Sequence, residues 1–151
     1  MADEAFRVFE LSLQGFNCSQ ILAMMALEAQ GQENPMLVRS MSGLLGGMGC
    51  GKTCGALTGG CCVLGMYAGR GSLDENEDGL LTLMLTELVD WFEAEYGTRY
   101  HGINCDDITE LDAKQRLSRC PQMVAETFKK ITEILAMHNY SLDGTGREDR
   151  E

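Results

Sequence analysis

Seven cysteines in 151 residues are the chain's main chemical resource, and four of them fall in one stretch, "LLGGMGCGKTCGALTGGCC", residues 44–62. A thiolate is a nucleophile, a redox centre and a soft metal ligand, so this stretch invites thiol or metal chemistry. Gly46 and Gly51-Lys52-Thr53 also satisfy the phosphate-loop pattern G-x-x-x-x-G-K-[ST]. The two readings compete for the same residues.

A phosphate loop lies between a buried strand and a helix, where backbone amides wrap the phosphates. Here Pro35 to Leu45 is patterned as a helix, and Leu88-Val89-Asp90, the nearest match to a magnesium-binding strand end, sits inside a long helical segment. The thiols are therefore the better candidates. Cys18, Cys54, Cys105 and Cys120 each fall at a predicted helix start, where unpaired amides and the helix dipole favour a thiolate. Cys54, with Lys52 two residues away, is the candidate nucleophile, and Cys50, one turn earlier, is the candidate resolving thiol or extra ligand. Cys54 and Cys61 share a helix face but are about 10 Å apart along the axis, too far to grip one ion. Cys61 and Cys62 are expected in the core.

The elements that must position these thiols all read as helices, because apolar residues recur at three- and four-residue spacing nearly throughout. A first helix over residues 3–14 carries Phe6, Phe9 and Leu13 on one stripe. Asn17 and Gln20 form a capping box for a second helix that carries Ile21, Leu22, Met25 and Leu27 inward and ends at Gly31. Asn34-Pro35 opens a third helix through Leu45. The fourth, from about Thr53 to Ala68, carries Gly55, Ala56, Gly59 and Gly60. Those glycines cost helix propensity, so the face must be touched closely by a helix, a loop or a cofactor. It could equally be the seam of a homodimer. A fifth helix runs from Glu77 to Tyr96, a short one starts at Asp106-Asp107, and Pro121 opens the last, through Met137. The expected fold is all-α, a compact single-domain bundle of about five to seven helices with a Gly-rich helix start. Residues 1–138 form the redox or metal-binding domain, and 139–151 form a flexible acidic and polar tail.

Composition narrows the partners. A net charge of −11, with no visible basic cluster, disfavours nucleic acid. No basic segment followed by a hydrophobic stretch opens the sequence, and no apolar run approaches about 20 residues, so the expectation is a cytoplasmic protein without membrane insertion. Seven cysteines then point to free thiols, metal or redox chemistry rather than a disulfide framework. His101, four residues before Cys105, is either an ordinary loop residue or a replacement ligand, and His138 answers the negative end of the last helix. Met24, Met25 and Trp91 are expected in the core, and the acidic residues Asp74, Glu75, Glu77 and Asp78 in a solvated loop.

"NCSQ" with Cys18, "CGALTGG" with Cys54, Gly55, Ala56 and Gly59, "NCDD" with Cys105 and "RCPQMV" with Cys120 together resemble a family of redox-active proteins labelled by the pattern C_GCAxxG_C_C. The label writes Gly-Cys-Ala where this chain has Cys54-Gly55-Ala56, the order associated with its members, and Cys50, Cys61 and Cys62 lie outside the family's cysteine set. The resemblance implies a helical, redox-linked protein working with an unidentified redox partner protein. A related module is similar to part of the split-Soret cytochromes, for which an iron–sulfur site has been proposed. The leading expectation is an iron–sulfur cluster held by Cys18, Cys54, Cys105 and Cys120 for electron transfer, with Gly55, Ala56 and Gly59 giving it room and amide donors. Two alternatives stay open: a metal-free dithiol/disulfide oxidoreductase using the same cysteines, and a structural zinc module.

Overall fold

The structure, a computed structural model, describes residues 2–145. It is all-helical, with no strand among the described residues. The helices are α1 (Ala2–Leu13), α2 (Cys18–Ala29), α3 (Pro35–Met41), α4 (Gly55–Ala68), α5 (Leu81–Phe92), α6 (Cys105–Thr109) and α7 (Ala113–Met137). Helix α5 continues through a wide turn, Glu93–Gly97, into Thr98–Tyr100. No helix of the described residues is long and apolar enough to cross a membrane.

The caps explain where several helices start. Asn17 Oδ1 accepts from Gln20 N and Gln20 Oε1 accepts from Asn17 N, each at 3.3 Å, so both ends of the expected box are made at α2. Asn34 Oδ1 accepts from Leu37 N at 3.0 Å, with Pro35 in the first turn of α3. Asp112 Oδ1 accepts from Lys114 N at 2.8 Å and starts α7 eight residues before the proline read from sequence as its first turn. Pro121 is thus inside α7, where it removes one backbone bond and leaves the carbonyl of Leu117 without its usual donor.

One hydrophobic core ties the helices together. Leu22 and Met25 of α2, Val63 and Leu64 of α4, Met84, Leu88 and Phe92 of α5 and Phe128, Ile131 and Leu135 of α7 are all buried in it. Tyr96, in the wide turn after α5, packs edge-on against Phe92 with ring centres 4.8 Å apart. Trp91 and Met24 are partly buried against this core, and Met25 is inside it.

Five expectations need correction. The stripe Phe6, Phe9 and Leu13 faces solvent, while Val8 and Leu11 turn α1 inward. Helix α3 stops at Met41 and tightens into a 3₁₀ turn, Ser42–Leu44, before the glycine loop. The small-residue face of α4 is no dimer seam, because α2 of the same chain occupies it. The polar tail starts later than position 139: Tyr140 is buried, donates to Asp78 Oδ2 at 2.6 Å, and Leu142 O accepts from Tyr67 Oη at 2.9 Å. Asp78, expected in solvent, is therefore buried as an anchor for the chain end. Residues 146–151 of the expected tail lie outside the described residues.

Candidate functional site

The site begins with two helices that approach without side chains between them. A Cβ added at Gly59 would stand 2.8 Å from both Cα and Cβ of Ser19, and one at Gly55 would stand 3.2 Å from Leu44 O and 3.9 Å from Cys18 Cβ. Such distances leave no room for a larger residue at Gly59. Ser19 is itself buried and donates to Met41 O at 2.8 Å, which anchors the start of α2 to the end of α3. Cys18, the first residue of α2, is thereby brought beside Cys54, the N-cap of α4.

A second device fixes Cys54 against Cys105. Thr53 and Asn104 pair as a single antiparallel bridge, in which Cys54 N donates to Ile103 O at 2.9 Å and Cys105 N donates to Lys52 O at 2.6 Å. The turn that reaches this bridge runs Gly46, Gly47, Met48, Gly49 and Gly51 through left-handed backbone. At Gly47 an added Cβ would collide with the backbone of Lys52, so the turn closes only with glycine there.

Helix α7 supplies the fourth thiol. Arg119 Nη1 donates to Ile108 O at 2.6 Å, Arg119 pairs with Glu110 at 3.2 Å, and its guanidinium lies 4.6 Å over the Tyr100 ring. These contacts clamp α6 to α7 and bring Cys105 to the side of Cys120. Cys18, Cys54, Cys105 and Cys120 then line one cavity of about 280 Å³, whose walls include Phe16, Leu44, Ile108 and Val124. Arg116 stands on the same lining and its Nη2 lies 3.7 Å from Cys105 Sγ.

Electrostatics sorts the four thiols. A hydrogen bond between Cys18 and Cys120, reinforced by burial and by the neighbouring sulfurs, raises the Cys18 pKa well above the ordinary thiol range. The same bond lowers that of Cys120, and Arg116 and Arg119 add to the lowering against the cost of burial. Burial pushes Cys54 up to about 12, against the opposing pull of the nearby Ala56 and Leu57 amides. Burial also raises Cys105, against the pull of Arg116. Helix N-termini were expected to lower all four. Burial and sulfur–sulfur repulsion outweigh that effect at three, and Cys120, the one that is lowered, sits within α7 rather than at its start.

The remaining candidates are dispersed. Cys50 is exposed, outside the cavity lining, with Sγ 3.4 Å from Gly47 O. Cys61 packs partly against the core, but Cys62 is exposed rather than buried. Gly55 lines the cavity, Ala56 is buried behind it, and Gly59 faces Ser19. Lys52 is exposed, and its carbonyl serves the bridge. His101 is exposed on a left-handed turn, and His138 Nε2 meets Glu87 Oε1 at 3.0 Å. Arg116 is the residue that sequence reading missed. It lies one helical turn before Cys120, a relation visible only once α7 is known to start at Ala113.

All seven cysteines are free thiols. Among the described residues, no group of three or more His, Cys, Asp or Glu side chains is drawn together tightly enough to hold a metal ion.

The fold and the site define a helical, cysteine-rich protein in which thiols from four separated segments line one cavity. Residues 16–134 match the sequence pattern of the family described as "Putative redox-active protein (C_GCAxxG_C_C)", and the chain belongs to that family. No curated protein and no solved structure matches it.

Proposed function

We propose that the chain is an electron-transfer protein in which the thiolates of Cys18, Cys54, Cys105 and Cys120 hold an iron–sulfur cluster. The observation that carries this reading is the shared cavity, which receives one thiol from each of α2, the α4 cap, α6 and α7. The donor set suits the group, since soft thiolate sulfur is the usual protein ligand of iron–sulfur clusters. A single zinc ion demands four sulfurs at about 2.3 Å from one centre, whereas a polynuclear core spreads its ligands and asks less convergence of them. When bound, such a cluster supplies one-electron transfer at a potential set by charge, hydrogen bonds to sulfur and solvent access. The chain's own part is to seat Cys54 at the amide-rich start of α4, to set Arg116 beside Cys105, and to keep water away with Phe16, Ile108 and Val124. A reducing cytoplasm would keep the thiols available, and the electron would pass to a separate redox partner protein.

The direct Cys18–Cys120 contact favours a second reading, a dithiol/disulfide oxidoreductase. Its thiolate, Cys120, attacks a disulfide of an oxidised partner. One partner sulfur leaves as thiolate, and Cys18, giving up its proton, displaces the other to close Cys18–Cys120. The partner gains two electrons and the pair loses two.

Anaerobic purification followed by iron and acid-labile sulfide analysis and visible absorption tests the first reading. Bound iron with equivalent sulfide and a visible charge-transfer band is expected, with both lost in Cys54→Ser and Cys105→Ser. Protein that holds neither after anaerobic reconstitution overturns it. Formation of a Cys18–Cys120 disulfide in that metal-free protein would then establish the second.

A further inference from the structure

Helix α1 is apolar on two opposite sides. Val8 and Leu11 point into the core, while Phe6, Phe9 and Leu13 are 63%, 52% and 73% exposed. Ala5 of α1 shares a groove with Pro121 of α7 and Ser12 shares the thiol cavity with Leu117, so the outward stripe runs on into α7, where Leu117 is 75% exposed. Pro121 and Phe9 share a shallow groove between the two helices, and Pro121 and Leu117 also stand on the thiol cavity. An amphipathic helix needs one buried stripe, and α1 has two.

We infer that this α1/α7 face pairs with the same face of a second copy of the chain to form a two-fold homodimer. Three observations favour a second copy over a different partner. The first is symmetry: α1 laid antiparallel on its copy about an axis near Phe9 brings each Phe6 to the other Leu13, the self-complementarity that a two-fold interface requires. The second is charge. Arg7, beside the stripe, is already paired with Glu28 and with Glu10 (3.4 Å), and the groove carries Lys129 together with Glu126, so the face presents no patch of a single sign to select an oppositely charged protein. The third is area. Phe6, Phe9, Leu13 and Leu117 expose on the order of 500 Å² together, and two such patches reach the roughly 1,000 Å² at which specific interfaces begin. Helix α1 precedes the family-matched residues 16–134, so the α1 half of this face lies outside the family core, and the pairing holds whatever the thiols bind.

Two chains of net charge −11 repel each other, and salt screens that repulsion over a Debye length of about 10 Å at 0.1 M. The dimer therefore tightens as salt is added, where an interface between opposite charges would loosen. Sedimentation equilibrium of the full chain over a range of concentration and salt tests this. The expected result is a reversible dimer strengthened by salt. Each of Phe9→Glu and Leu13→Glu enters the interface twice and weakens association by about 100-fold or more, while Leu73→Glu, at another exposed leucine, leaves it unchanged. Circular dichroism checks that the variants fold. Hydrogen exchange of the unaltered protein gives an independent reading, because α1 amides slow with concentration only if α1 is covered. A monomer at every concentration, a dimer indifferent to both glutamates, salt-induced dissociation, or concentration-independent α1 exchange would each overturn the inference.

Discussion

Gly59 and Gly60 are neighbours on α4 and serve two different kinds of packing. Gly59 faces the backbone of α2, where an added methyl would stand 2.8 Å from Ser19 Cα. Gly60 faces the other way, toward the tips of Leu88, Ile131 and Thr127 at 3.0, 3.3 and 3.4 Å. The α2 side brings backbones together and sets thiols side by side. The α5/α7 side fills its space with large apolar side chains, whose burial stabilises the fold. Side-chain tips can shift by a few tenths of an ångström, whereas the start of a capped helix cannot, so the two sides should respond differently to the same change.

The largest effect is expected on the apolar side. Ile131→Ala empties a fully buried site and should cost about 2–5 kcal/mol in urea unfolding while leaving the cavity thiols' alkylation pattern intact. Gly59→Ala comes next: overpacking against Ser19 costs about 1–3 kcal/mol, partly offset by about 1 kcal/mol of helix propensity. Unlike the first change, it should alter alkylation of Cys18 and Cys54, which mass spectrometry reads directly. If both variants disturb the thiols equally, the division between the two sides of α4 is wrong.

The third test is alkaline. In reduced, metal-free protein the Cys54 thiol is held up at about 12 by burial, against about 8.5 for an ordinary cysteine. A raised pKa means that the folded state keeps its proton longer than the unfolded one. The stabilisation is complete below the unfolded value and is lost as pH climbs from about 8.5 toward the folded value. Cys54→Ala should flatten this alkaline decline by about 1.4 kcal/mol per pH unit, measured from urea midpoints. Smaller still, Gly60→Ala should stay within about 1 kcal/mol of the parent, because propensity gained offsets crowding of flexible tips. Cys62→Ser, at an exposed position, should move stability by no more than about 0.5 kcal/mol and leave the alkylation pattern of the cavity thiols unchanged.

Much of the scaffold was readable from local chemistry. Asn17 with Gln20 and Asn34 with Pro35 announced α2 and α3 because caps act within a single turn. The glycines of α4 announced a close approach, without saying whether α2, a cofactor or another chain would make it. Proline misled at position 121, since it is favoured in a first turn and tolerated in an interior only when surrounding packing compensates. That one misreading hid Arg116 and placed Cys120 at a helix end. Helix α1 misled differently: the sequence reading followed the Phe6, Phe9 and Leu13 stripe, the core took Val8 and Leu11, and periodicity cannot say which set will be buried.

Spacing and residue type by themselves determined that the chain is helical, that its chemistry lies in thiols, and that Gly55 and Gly59 sit where something must touch. Those properties follow from interactions within a few residues of one another. Only the tertiary structure decided that Cys18, Cys54, Cys105 and Cys120 share a cavity while Cys50 and Cys62 face outward. It also decided that burial raises Cys54 and Cys105, that the bond to Cys120 together with burial raises Cys18, and that Cys120 is the one favoured as thiolate. Desolvation and charge pairing depend on what the rest of the fold brings near a sulfur, and no local pattern carries that information.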